Sequence, residues 1–367
     1  MSDLLYSDTE EALRDSVRRL FADRCPPESV MHAYGPAPQD FSDVWRALAA
    51  DLGMAGLLVP EELGGAGAGA REAAVVMEEI GRAVAPVPFL SSAVLATVAL
   101  LEAGDTETVK GLAAGSLTAA LAVSLSTAPD DAVAGVEVGA SASGLTGRVT
   151  SVAGASEADM LVVPVFGPDG LELHTVSRDA AGVDVSPVLT LDMTRPLATV
   201  EFSSAASSRV GAAPAEAAVR AALETGAALL ASEQLGIAQW CFDTTLAYVK
   251  QRRQFGRAIG SYQAIKHRLA DLWIEVNSAA ASARYAADTC ARRDNDATIA
   301  AAVAQAYCSG AAVHAAEECV QLHGGIGMTW EYPAHLYLKR AKSDQLAFGT
   351  GYRHRARLAD LVDLPVS

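Results

Sequence analysis

Apolar residues recur at three- and four-residue spacing through both ends of the chain, and in short or alternating runs through its middle. The first period predicts helices and the second predicts strands. From Thr9 to Asp23, Ala12, Leu13, Val17, Leu20 and Phe21 mark one face of an amphipathic helix. A second helix is expected from Phe41 to Leu52, with Asp40 or Ser42 near its start and Gly53 beyond its end. A proline and glycine loop, Leu57 to Gly67, leads to a helix from Ala70 to Arg82 that carries Val75, Val76, Met77 and Ile80. A helical pair continues from Ser91 to Ala114. Between about 117 and 210 the chain turns to Val, Thr, Ser, Gly and Pro, and the runs starting at Leu161 and Leu171 read as strands. Four long segments follow, Ala215 to Gln251, Gln263 to Arg293, Asp296 to Leu322 and Glu331 to Leu361, which predict an up-and-down four-helix bundle. The expected class is α+β, with an all-helical domain over 1–116, a β domain over 117–212 and a bundle over 213–367.

Composition sharpens this picture mainly by exclusion. A chain of 367 residues that is 51% hydrophobic can bury a large core. Its formal charge of −16 argues against a nucleic-acid or anionic-membrane partner, because phosphate binding needs positive charge. The apolar tract from Ala217 to Leu235 carries Arg220, Glu224 and Glu233, which argue against a membrane span. The acidic N-terminus does not read as a secretory signal, so a cytoplasmic location is expected. Five scattered cysteines without a CxxC pair signal neither a metal site nor a disulfide framework, and free buried thiols are expected.

Candidate chemistry concentrates in the last third. Arg252 and Arg253 stand beside Phe255 and Gly256, where a guanidinium fork can hold a diphosphate and an aromatic ring can cover a base. The same arginines also suit a helix C-terminus. Further on, Gln321 introduces a loop with Gly324, Gly325 and Gly327, whose backbone can approach a pyrophosphate closely.

Together with Ser261-Tyr262-Gln263, with Glu331-Tyr332-Pro333 and with Phe348-Gly349-Thr350, these blocks resemble the C-terminal domain of the acyl-CoA dehydrogenase family. Leu52 to Gly65 followed by Glu78-Glu79-Ile80-Gly81-Arg82 is similar to that family's N-terminal helical domain. The resemblance implies an acyl-CoA substrate, flavin adenine dinucleotide (FAD) bound across a subunit interface, and an electron-transferring flavoprotein as partner. It also implies flavin contacts from Arg252, Phe255, Gln263, Gln321, Gly324, Gly325, Gly327 and Thr350.

The family's reaction removes an α-proton with a carboxylate base. Where most members carry that Glu, this chain has Phe348; where some relatives carry it on the preceding long helix, it has Gly226. Glu224 lies two residues away, which on a helix turns its side chain by about 200°. In the β region, Ser124 to Ala132 keeps only Pro129 of the family's flavin-ring loop, and the stretch from Leu145 to Gly154 lacks the family's tryptophan. The losses fall on the half-site a subunit builds for its own flavin, whereas the retained residues belong to the half-site it lends. This pattern resembles the partner subunit of heterotetrameric acyl-CoA dehydrogenases in bacterial steroid side-chain degradation. The expectation is a flavin-site-completing subunit paired with a catalytic paralogue. The alternatives are a self-sufficient homotetrameric flavoenzyme, either a dehydrogenase or an oxidase or monooxygenase, and a flavin-free structural subunit.

Overall fold

The computed structural model describes residues 4–35, 39–133, 135–167, 170–211 and 215–364. Helix α1 (Asp8–Arg24) starts with a capping box, in which the Ser7 hydroxyl accepts from the Glu10 N–H and Glu10 accepts from the Ser7 N–H. After the short α2 (Pro27–Val30), α3 (Ser42–Arg46) continues into a π-helical turn, Ala47–Asp51. Helix α4 (Ala70–Ala83) follows the glycine-rich loop. The expected helical pair runs as a π-helical segment, Phe89–Ala96, continued by α5 (Thr97–Ala103), and then α6 (Glu107–Ala113).

The middle segment contributes β1 (Ala119–Leu121), β2 (Gly139–Ser141), β3 (Gly144–Ala153), β4 (Met160–Gly167), β5 (Gly170–Ser177), β6 (Val183–Val188), β7 (Leu197–Ala205) and β8 (Ser208–Val210). They form one sheet in the order β6-β7-β3-β2-β4-β5-β8, with β1 parallel to β4. Leu161 to Val165 of β4 are buried at every position, which explains why that strand reads as a continuous apolar run.

The C-terminal part is built on α7 (Ala215–Gln251), a 37-residue helix that packs against α4, α8 (Gln263–Ala291) and α9 (Ala297–His323). Between α7 and α8 the chain makes a small hairpin, β9 (Arg253–Gln254) and β10 (Arg257–Ala258). Surrounded on several sides, α7 is apolar around much of its circumference rather than along one stripe. Where α4 crosses α7 the backbones touch: a Cβ on Gly81 would sit 2.0 Å from the Glu233 carbonyl oxygen, and one on Gly236 1.9 Å from that of Glu78. The segment 297–328 is long and apolar enough to cross a membrane, yet 67% of its apolar 18-residue window is buried inside the molecule. All five cysteines are free, and four are buried.

The expected fourth helix is not continuous. It divides into α10 (Ala334–Leu346) and α11 (Gly351–Leu361). Pro333 delays its start, Ala347 is extended, and Phe348 turns left-handed at φ 55°. The Gln305 amide donates to the carbonyls of Asp344 and Ala347, so the last turn of α10 is capped from α9.

One buried ion network fixes this break against the β domain. Arg340 meets Asp192 at 2.8 Å and Glu233 at 2.5 Å, while Arg195 meets Glu233 at 2.5 Å and Asp344 at 2.6 Å. Two guanidinium groups face three carboxylates. Burial, then repulsion from Glu233, pushes the Asp344 carboxyl up to about 8, so at neutral pH it keeps its proton and the network is neutral. The unfolded chain releases that proton near 3.8. The associated stability is fully present below pH 3.8 and lost as pH rises through about 8. Denaturant unfolding is expected to show stability falling across this window by at most about 1.4 kcal/mol per pH unit, with Asp344→Asn flattening the slope.

Candidate functional site

The retained motifs meet at one end of the helical bundle. Beneath them, Val249 of α7, Leu269 of α8 and Leu322 of α9 form a small apolar cluster with Tyr248, Ile259 and Ile265. That cluster fixes the relative positions of the three helix ends. The Arg252 N–H donates to the Tyr248 carbonyl at 2.8 Å, and the Tyr248 hydroxyl donates to the His323 carbonyl at 3.3 Å. The arginine segment and the glycine loop are therefore joined through one tyrosine.

Arg252 and Arg253 are exposed, and no carboxylate pairs with either among the described residues. Phe255 and Gly256 are the two central residues of the β9–β10 turn, with φ of 52° and 79°. A turn with both angles positive favours Asn-Gly, and a bulky residue at its first position carries strain. Phe255 is nonetheless kept there, with 91% of its surface exposed. The turn holds an aromatic ring away from the protein and ready for another surface. Gln263 is exposed at the start of α8, and Arg257 stacks on the neighbouring Tyr262 ring at 3.8 Å.

Gln321 is exposed on the last turn of α9, and Gly324 then adopts φ 64° and ψ −138°, a region open to glycine almost alone. Neither Gly324 nor Gly325 has any atom within 4 Å of where a Cβ would stand, so their backbone is open to an incoming group. Gly327 differs from its neighbours in the motif. It is buried, and a Cβ there would lie 2.5 Å from the Val320 carbonyl oxygen, so this glycine faces α9 and serves close packing. Thr350 is the N-cap of α11, accepting from the Arg353 N–H at 3.4 Å, and belongs with the Phe348 turn.

At that turn the chain closes on itself. Phe348 is 0% exposed. Its N–H donates to the Leu125 carbonyl at 2.8 Å, and its carbonyl accepts from His354 Nε2 at 2.9 Å. Its ring lies over Gly226: a Cβ added there would stand 2.9 Å from Phe348 Cζ and 2.6 Å from Leu95 Cδ2. The two positions at which a base could stand are thus in mutual contact, and an aromatic ring fills the space between them. Arg353 binds Asp130 at 3.1 Å and Asp131 at 2.8 Å, tying the nearby β-domain turn to α11.

Glu224 faces elsewhere. Its carboxylate pairs with Arg357 at 2.6 Å and accepts from Thr298, at the wall of a separate cleft of about 500 Å³ that Thr225, Cys290 and Arg293 also line. The buried Arg195 and Arg340 network escaped the sequence reading, since its partners stand 38 to 149 residues apart. The one available signal was Glu233 and Gln234 inside an apolar helical run.

The model of the acyl-CoA dehydrogenase N-terminal domain matches residues 7–115, and that of the C-terminal domain matches residues 216–362. Acyl-CoA dehydrogenase IpdE2 of Mycolicibacterium smegmatis is 34% identical over 352 residues, covering 96% of this chain and 98% of the relative. The protein of the same name from Mycobacterium tuberculosis is 37% identical over 336 residues, 91% of each chain. Among solved structures, a variant of the Tcur3481-Tcur3483 steroid acyl-CoA dehydrogenase superposes with a TM-score of 0.85 at 29% identity, covering 97% of this chain and 98% of that one. The ChsE4-ChsE5 complex from Mycobacterium tuberculosis gives 0.87 at 26% identity, with full coverage of both chains. By sequence and by fold alike, the chain belongs to the acyl-CoA dehydrogenase family.

Proposed function

We propose that this chain is the flavin-site-completing subunit of a hetero-oligomeric acyl-CoA dehydrogenase, assembled with a paralogue that supplies the catalytic carboxylate. One observation carries the reading: the Phe348 ring is seated on Gly226, so the chain has no base at either position and no open space between them. Between those two positions no room remains for an acyl group. The hydrogen bond from Phe348 to Leu125 and the clamp of Arg353 on Asp130 and Asp131 hold that closure in place.

The other end of the bundle fits a nucleotide diphosphate. Two arginines without carboxylate partners among the described residues offer charge-assisted donors, the open Gly324-Gly325 backbone admits close approach, and Phe255 presents a free ring. Arg252 and Arg253 would hold the diphosphate of FAD, Phe255 would cover an aromatic edge, and Gln263 and Gln321 would supply polar contacts. FAD bound in the completed site supplies the hydride acceptor for α,β-dehydrogenation of an acyl-CoA. The Tcur3481-Tcur3483 steroid acyl-CoA dehydrogenase favours a steroid-derived thioester as substrate, and its pairing of two chain names, like that of ChsE4-ChsE5, favours a second chain type. The family's reaction adds an electron-transferring flavoprotein as the next electron carrier.

Two variants test the lent half-site in the co-expressed complex. Arg252→Ala is expected to weaken FAD binding by roughly 10- to 100-fold, the worth of one charge-assisted contact, without altering the melting temperature of the chain. Phe255→Asn suits the turn better, so it is expected to raise stability by about 0.5–1 kcal/mol while lowering flavin content. Unchanged flavin content in both would reject the lent site.

A further inference from the structure

The glycine loop is shaped by a residue outside the glycines. His323 is buried at the end of α9, immediately before Gly324. Its Nδ1 lies 2.7 Å from the Cys319 carbonyl, and because a carbonyl only accepts, Nδ1 must carry the proton. Nε2 then meets the Tyr332 hydroxyl, 2.6 Å away, accepting from it in the neutral ring and donating to it in the cation, which Cys319, with Sγ 3.7 Å from Nδ1, favours against burial. Burial pushes the Tyr332 hydroxyl up to about 12, so it retains a proton to donate. The two residues are nine positions apart, and the whole glycine loop lies between them. The imidazole also meets the Tyr332 and Tyr248 rings at a tilt, with ring centroids at 4.6 Å and 4.2 Å. Tyr248 is the tyrosine that joins this loop to Arg252.

We infer that His323 and Tyr332 are positioning residues for flavin binding, a clasp that closes the loop from 324 to 331 and holds its open glycine backbone in register with Arg252. This rests on the reading that the loop is part of a lent flavin site. Without the clasp the loop has no side-chain tie between its two ends among the described residues. It would then have to be ordered at the moment the nucleotide binds, which costs affinity rather than fold. Tyr332→Phe keeps the ring contact and loses the tie.

The test measures FAD affinity, kcat at saturating FAD, and melting temperature for the complex formed with the catalytic paralogue. Tyr332→Phe is expected to weaken FAD binding about 5- to 10-fold, with kcat and melting temperature near the parent values. His323→Leu should weaken it further. His323→Gln, which keeps an acceptor for the Tyr332 hydroxyl, should recover part of that loss. Affinity unchanged in Tyr332→Phe and His323→Leu, or lost only in proportion to melting temperature, overturns the clasp. If Arg252→Ala weakens FAD binding while these variants do not, the clasp alone fails. If Arg252→Ala is also silent, the lent site fails with it.

Discussion

Phe348→Glu is expected to lower the unfolding free energy by about 3–5 kcal/mol and to restore no dehydrogenation. The side chain is fully buried and its ring lies against Gly226, so replacing it removes a packed ring and places a carboxyl in a closed, water-excluded site. In such surroundings the new group would stay protonated at neutral pH and could not act as a base. The turn around it would remain, held by the Leu125 and His354 hydrogen bonds, and the β-domain segment would remain clamped by Arg353. Denaturant unfolding and an acyl-CoA dehydrogenation assay on the purified chain check both halves. Wild-type stability with measurable turnover would mean that the pocket opens more readily than the packing indicates.

The contrast between the two ends of the bundle is what that variant exposes. At Phe348 the chain fills its own space and ties the turn with its own hydrogen bonds. At Arg252, Phe255 and Gly324 it leaves a guanidinium group without a carboxylate among the described residues, a ring exposed and a backbone open. A turn that tolerates φ 52° at Phe255 forgoes the stability an asparagine would bring. Such local costs are expected where a surface is shaped for a ligand or a partner.

Much of this was legible in the sequence. The period of apolar positions found α1, α4 and the three long bundle helices, because each buries a face through many turns, and the shift to Val and Thr located the strands. The rotation argument against Glu224 agrees with its placement, since it points to Arg357 and away from Phe348. Other features were not legible. The division of the fourth helix depends on a left-handed Phe348 held by Leu125 and on an Ala347 carbonyl held by Gln305, contacts that span more than thirty residues and leave no local signal. The π-helical turns at Ala47–Asp51 and Phe89–Ala96 have the same side-chain pattern as α-helix. Gly327 reads like its motif neighbours, and only the approach of Val320 distinguishes a packing glycine from an open one.

The second large effect is on flavin itself. A chain that lends a half-site and closes its own should hold none alone, since two copies bring together two lent halves and no complete one. Paired with a paralogue that carries the missing carboxylate, each lent half completes one site. The decisive measurement is the flavin-to-protein ratio, by visible absorbance with light-scattering mass, for this chain expressed alone and co-expressed with such a paralogue. A colourless chain alone and a yellow hetero-oligomer with about half a flavin per chain are the results predicted here. A yellow homotetramer with about one flavin per chain would contradict the account at its centre.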